Sequence, residues 1–348
     1  MRMVTATGPR LDLESDYTSQ TPHVLLLALI LCLTMLLYWP ALQFPYLYDD
    51  TRDLPMFLKW DGWRSLFAVP WLHPARYLTW VSFQLTHHLS THPIVADHAV
   101  SLAIHGVNVT LVAVVLWPFE RAAAIGAAGL FALHPLQTEA VAYVGGRPDL
   151  LMATGLLIAL VGVSWSLASC VMIGIIVAAL SKETGIMALP VVWLWSRAID
   201  CRVRLLGAAL GCAGLFTMLH IYDFYGSGYW ASPVEVFRHA AMLWRLSALV
   251  IWPFGFTIDH AWTWITRTAS MIAMLAWICM AIGGLYDRRA WALLAVPLLL
   301  LPRLLLNDSE PLHEHHLYAP MVCLSIMIGA WYFQGEPVNG RRSIRQYT

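Results

Sequence analysis

Charge is what this 348-residue chain has least of: Asp, Glu, Lys and Arg together make up 12% of it. A soluble domain carries about a quarter charged residues, so a soluble globular fold is excluded as a first reading. The 21 acidic and 21 basic residues cancel, leaving no positive field that would favour a nucleic acid. Cysteine is sparse too: the residues at 32, 170, 201, 212, 279 and 323 show no CxxC and no Cys/His spacing. That excludes a zinc knuckle and a disulfide framework, and buried thiols are expected instead. No internal repeat is visible, which sets aside a solenoid.

What is present is apolar. Hydrophobic residues make up 59% of the chain and the mean hydropathy is +0.63, the pattern of a polytopic membrane protein. The 17 tryptophans suit interfacial belts, where the ring lies in the headgroup layer. Residues 1–22 are polar, and the apolar run from His23 is long enough to span. The start therefore reads as a cytoplasmic tail and a first span, not as a cleavable signal. Spans are predicted at 23–42, 96–118, 122–134, 150–165, 168–181, 184–196, 204–222, 269–285, 290–305 and 317–334. The expected fold is thus an all-α bundle of about ten or eleven transmembrane helices, residues 23–334, followed by a short polar tail at 335–348.

Topology follows from the arginines. Arg2 and Arg10, the group Arg197, Arg202 and Arg204, the pair Arg288-Arg289, and the tail Arg341, Arg342 and Arg345 all fit the cytoplasmic side. Parity then requires Ala240–Phe256 to be re-entrant or interfacial; one more crossing would invert the tail. The loop at 43–95 falls on the other side and, rich in Trp, Phe and Leu, is expected to hold amphipathic surface helices.

Polar residues gather in a few places. HPLQTEAVAYVGGRPD, residues 134–149, places His134, Gln137, Glu139, Arg147 and Asp149 between two apolar segments, with Gly145-Gly146 as a hinge. Ionisable groups at a membrane boundary are costly unless they face water, a partner or a ligand. The plainer reading is a turn whose Asp149 favours the next helix's positive end. Tyr48-Asp49-Asp50 follows the first span; paired carboxylates there suit a general base or a helix cap. Arg76 and His87-His88 come next, then His98, His105 and Asn108 on one helical stripe. Histidines on an apolar helix are more often satisfied core residues than ligands, so no metal site is assigned. Ser181-Lys182-Glu183-Thr184 reads as an internal ion pair or as a lysine reaching a phosphate. Ile258-Asp259-His260 suits an interfacial turn, and His313, Glu314, His315 and His316 suit a metal site or a surface turn.

Taken in order, these elements resemble the C-type (GT-C) membrane glycosyltransferases. The likeness is to the O-mannosyltransferases of the transmembrane-and-tetratricopeptide type and their bacterial relatives. It is carried by YDD at 48–50, Arg76 with the downstream DHxxxxxxH, HPLQTEAVAYVGGRPDLL at 134–151, SKETGI at 181–186, FTIDH at 256–260 and EHHLYAP at 314–320. It covers roughly residues 25–330, and the 134–151 block is its most specific part. No tetratricopeptide array follows, Arg76 precedes Tyr77 where relatives have Arg-Pro, and His315-His316 stand where an arginine is usual.

The resemblance implies transfer of a sugar from a polyprenyl-phosphate carrier to an acceptor hydroxyl, protein O-glycosylation being the first expectation. The expected setting is the non-cytoplasmic face of a bacterial inner membrane. It implies Asp49 and Asp50 as catalytic carboxylates, and Arg147, Lys182, His315 and His316 as holders of the donor phosphate. Arg76, His134, Glu139, Asp149, Glu183, Asp259, Glu314 and Tyr318 are expected to support them. A histidine replacing the usual arginine would act protonated, with a raised pKa in the donor complex. No cofactor is fixed, and a divalent cation stays compatible. The expected partners are the lipid-linked donor, an acceptor protein or glycan, and membrane lipid, with no nucleic acid. A glycan or lipid acceptor, or a non-catalytic scaffold or flippase for the lipid-linked sugar, is the alternative.

Overall fold

A computed structural model describes residues 13–47, 50–51, 54, 76–198, 230–257, 265–305 and 313–332. Asp49, Asp259 and the span expected at 204–222 lie outside the described residues. The described residues form helices and turns, with no strand ladder.

The first helix, α1 (Leu13–Tyr38), reaches ten residues further back than the apolar run that starts at His23, and ends in a 3-10 turn at Trp39–Gln43. Next come α2 (Tyr77–Leu89), α3 (Pro93–Leu116) and α4 (Arg121–Leu133). The 134–149 segment is ordered throughout. A 3-10 turn at Pro135–Gln137, the short α5 (Thr138–Ala142) and a turn at Val144–Gly146 lead into α6 (Arg147–Ser164). Then follow α7 (Ala168–Ser181), a turn at Glu183–Met187, and α8 (Ala188–Ala198). The second half holds α9 (Pro233–Ala248), α10 (Arg267–Tyr286), α11 (Trp291–Leu305) and α12 (Tyr318–Tyr332).

Among the described residues, four helical stretches are long and apolar enough to cross a membrane: Thr21–Gln43, Pro93–Leu116, Val144–Ser164 and Arg267–Tyr286. Arg121–Leu133 and Ala168–Ser181 are apolar but shorter. The outer stretches, Thr21–Gln43 and Arg267–Tyr286, turn Leu25, Leu29, Leu36, Met271, Ile272 and Leu275 outward, as lipid-facing helices do. The central ones bury most of their surface.

The tightest joint is between α6 and α7. A Cβ on Gly155 would come 2.6 Å from the Gly174 carbonyl, and one on Gly174 would come 2.5 Å from the Gly155 carbonyl. Lipid tails are as apolar as leucine, so helices in a membrane gain by letting backbones approach, and small residues permit it.

This antiparallel packing sorts the connections. The 134–146 segment, Lys182–Met187 and His313–Leu317 share one end of the bundle with the start of α3. Arg197, Arg288 and Arg289 lie at the other end. Exposed tryptophans mark both ends, Trp39 and Trp252 at the first, Trp165 and Trp331 at the second.

Two expectations change, and a third segment becomes defined. Helix α2 is not a surface helix: Trp80 and Phe83 are buried with Leu54 and Val144, because the residues around them wrap onto α3 and α7. Cys32 and Cys279 are exposed on outward helix faces, and among the described thiols Cys323 is the buried one. The ambiguous Ala240–Phe256 stretch is α9, which begins earlier, at a Ser232–Glu235 capping box, followed by a turn. The Ala231 N–H donates to the Leu305 carbonyl, while the Thr257 N–H donates to Glu314. The segment therefore returns to the end of the bundle where it starts.

Candidate active site at one end of the bundle

The first turn of α6 divides the polar residues into two groups. Arg147 and Asp149, two positions apart, project to different sides, since neighbouring helix positions diverge by about 100° each.

On one side Arg147 is 0% exposed and faces Asp97, which is also 0% exposed. Its Nη2 donates to Asp97 Oδ1 and to the Asp97 carbonyl, both at 2.8 Å. Nε and Nη1 reach the hydroxyls of Ser101 and Ser82 at 3.4 and 3.3 Å, and the guanidinium carbon stands 4.0 Å over the Phe83 ring. Asp97 also accepts from Tyr46 at 2.7 Å and Thr86, and meets His87 Nε2 at 2.8 Å. Burial and the Asp97 carboxylate push the Tyr46 phenol above its usual range. Arg147, expected to hold a phosphate, has its donors on protein oxygens here and braces α6 against α2 and α3. Asp50 is buried, takes a weak 3.4 Å contact from the Leu47 N–H, and lies within electrostatic reach of Arg147 and Tyr46.

On the other side Lys182 Nζ contacts both Asp149 oxygens, at 2.7 and 2.6 Å, and lies 3.4 Å from His316 Nδ1. Lys182 is placed by the turn at Glu183–Met187, which folds back on α7 because Gly185 has no Cβ to strike the Ala178 carbonyl. The next residue, Glu183, receives Arg76 bidentately, at 2.8 and 2.7 Å, and Arg303 Nη2 lies 3.6 Å away. Burial opposes the Glu183 charge, but Arg76, Arg303 and Lys182 outweigh it and hold the carboxyl below its ordinary range. Arg76 is the most open of the three cations, with 35% of its side chain exposed.

The 313–316 cluster completes this face. His315 Nδ1 lies 3.0 Å from Glu139 Oε1, and its backbone N–H donates to Oε2 at 3.0 Å. Burial raises Glu139, yet His315 and His313 more than offset that and hold it below the usual carboxylate range. Burial first, then Arg303, His315 and Lys182, push the His316 pKa well below the ordinary histidine value, and its Nδ1 faces Lys182.

The remaining expected residues are structural supports. His134 Nδ1 accepts from the Leu136 N–H and its Nε2 donates to the Val250 carbonyl, so it caps a turn; burial lowers its pKa. Glu314 anchors Thr257. The Tyr318 hydroxyl lies 2.7 Å from His105 Nδ1 and 3.1 Å from Asn108 Nδ2, as core polar groups do. Both amide atoms of the buried Gln137 lack a hydrogen-bond partner among the described residues.

Sequence reasoning gave Tyr46 no role, took Asp97 only as the first residue of the DHxxxxxxH element, and held Arg303 only as an alternative to the histidine pair as the cation. Asp97 is the single carboxylate in the apolar stretch Pro93–Leu116, and Arg303 the single charge in Trp291–Leu305. An ionisable residue isolated in an apolar helix was the available signal.

Comparison with known proteins adds one finding. The chain is 32% identical, over 45% of its length, to the protein O-mannosyl-transferase Tmtc1 of Drosophila melanogaster. The match spans 21% of that protein's length. No family model and no solved structure matches the chain.

Proposed function

We propose that this chain is a membrane glycosyltransferase that moves a sugar from a polyprenyl-phosphate carrier to an acceptor hydroxyl at the non-cytoplasmic face. The observation that carries the reading is the gathering of three cations, Arg76, Lys182 and Arg303, around Glu183 and Asp149 at one end of the bundle. Guanidinium groups near the mouth of an apolar bundle suit a phosphate whose lipid tail lies among the helices. The similarity to an O-mannosyl-transferase supports the reading and makes mannose the first sugar to test.

In the reaction the acceptor oxygen bonds to the anomeric carbon while the bond from that carbon to the phosphate oxygen breaks. The acceptor proton goes to a carboxylate, and polyprenyl phosphate leaves with the electron pair. Positive charge builds on the sugar and negative charge on the leaving oxygen. Asp49 is the proposed base and the adjacent Asp50 orients the acceptor. Arg76, exchanging Glu183 for phosphate, steadies the leaving group with Arg303, and Lys182 sets the charge balance behind them. Arg147 serves as the brace that fixes α6.

The test uses the full chain in lipid vesicles with a radiolabelled mannosyl-phosphoryl polyprenol and a serine/threonine peptide. Asp49→Asn should slow transfer by about 100- to 10,000-fold with unchanged protein in the membrane, and Arg76→Ala should weaken donor binding. Near-normal turnover of both Asp49→Asn and Asp50→Asn would remove the base assignment. Absence of transfer by wild type across sugar donors and acceptors would remove the function.

A further inference from the structure

Glu139, His313 and His315 come from two distant parts of the chain and meet at one point. Glu139 sits on the short α5, whereas His313 is the extended residue before the turn at Glu314–Leu317 and His315 lies within it. That backbone change stacks the two imidazoles, with centroids 5.2 Å apart and planes 17° from parallel. Their Nδ1 atoms then lie 3.5 Å (His313) and 3.0 Å (His315) from the same carboxylate oxygen, Glu139 Oε1. The three ligand atoms all fall within 4.8 Å of one another.

We propose that Glu139, His313 and His315 form a transition-metal site of the zinc type, with a fourth position left open. Zinc bonds of about 2.0–2.1 Å in a tetrahedron require ligand atoms about 3.3 Å apart. The two edges bracket that value, and rotation of the stacked imidazoles about their Cβ–Cγ bonds turns their in-plane lone pairs onto a shared ion. Two imidazoles and one carboxylate select zinc or a similar first-row ion over magnesium and calcium, which take oxygen ligands.

The surroundings are built for ligation. The His315 backbone N–H holds Glu139 Oε2 and thereby turns Oε1 toward the histidines. Behind His315, Asp149 Oδ2 lies 3.8 Å from Nε2, the place where a carboxylate orients a metal-bound imidazole. His313 keeps a quarter of its side chain exposed while its Nδ1 is buried, so the cluster lies just beneath the surface. A neighbouring trio, Asp149, His315 and His316, also converges. There Lys182 already contacts both Asp149 oxygens and approaches His316 Nδ1, so an ion would face an ammonium. The fourth position suits water or a phosphate oxygen. The assignment rests on ligand geometry and stands whether or not the chain transfers sugar.

The full chain is purified in detergent, stripped with chelator, reloaded with zinc, desalted and measured for bound metal. Wild type and the exposed-histidine variant His88→Ala should each retain one zinc per chain. Glu139→Gln and His313→Ala should lose it while eluting as the same monodisperse species. A positive control covers the case in which those variants misfold. Cobalt-loaded His313→Cys should keep the metal and gain a thiolate charge-transfer band absent from wild type. Wild type without zinc would overturn the proposal, as would a His313→Cys protein lacking the band. Retention by Glu139→Gln together with loss in Asp149→Asn would place the ion in the other trio and overturn it equally.

Discussion

Lys182 holds Asp149 by both oxygens, Nζ lying 2.7 Å from Oδ1 and 2.6 Å from Oδ2, with each side chain about 3% exposed. The pair ties the first turn of α6 to the end of α7, about two turns from where Gly155 and Gly174 bring these helices together.

Removing one partner strands a buried charge. Asp149→Asn or Lys182→Ala should each cost about 3–5 kcal/mol, whereas the double change Asp149→Leu with Lys182→Met should recover much of it. Thermal unfolding in detergent measures this, and a double variant no better than the singles would show that the pair has no mutual coupling.

Arg147→Lys is expected to act on folding. A single ammonium cannot serve Ser82, Ser101, the Asp97 carboxylate and the Asp97 carbonyl from one position. Membrane abundance and unfolding midpoint should fall, while the surviving folded protein binds donor with wild-type affinity. Weaker donor binding in a fully stable Arg147→Lys protein would return this residue to the phosphate.

The Glu183 carboxylate makes stability depend on pH in one direction. Its folded pKa is held below the unfolded value of about 4.3 despite burial, through Arg76, Arg303 and Lys182. Its contribution is therefore complete above that pH and is lost as pH falls toward the folded value. The gap in unfolding midpoint between wild type and Glu183→Gln should be constant above about pH 5 and shrink below about pH 4. A gap that widens on acidification would contradict the assignment.

His316→Arg, one of the two changes that would put an arginine into the 315–316 pair, should reduce folded protein. It adds a cation beside Lys182 and Arg303 in a site that is only 7% exposed. Membrane abundance and rate per folded chain are the readouts. An abundant, active His316→Arg protein would show that the site accommodates a third positive charge.

Periodicity and composition made the helices legible: those at 93–116, 121–133, 168–181 and 267–286 lie within a few residues of the expected spans. Long apolar runs bounded by Pro, Gly and charge leave little else for the backbone to do. The polar motifs were legible as positions as well, since charge is rare in this chain and every cluster stands out. Their partners were not. Arg147 and Lys182 look alike from sequence, two cations near apolar helices, yet one braces Asp97 and the other holds Asp149 beside His316.

The sequence by itself determined that the chain is helical and suited to a membrane, and that its ionisable residues gather in a few polar clusters between apolar helices. Tertiary structure alone decided who pairs with whom. Glu139 meets residues 174 and 176 positions away, and Arg76 meets a carboxylate 107 positions away. Distances of that kind depend on how backbones at Gly155, Gly174 and Gly185 close on their neighbours. Packing at that scale also sets burial, and burial with the neighbouring cations is what pushes the His316 pKa down, which no local reading of the sequence shows.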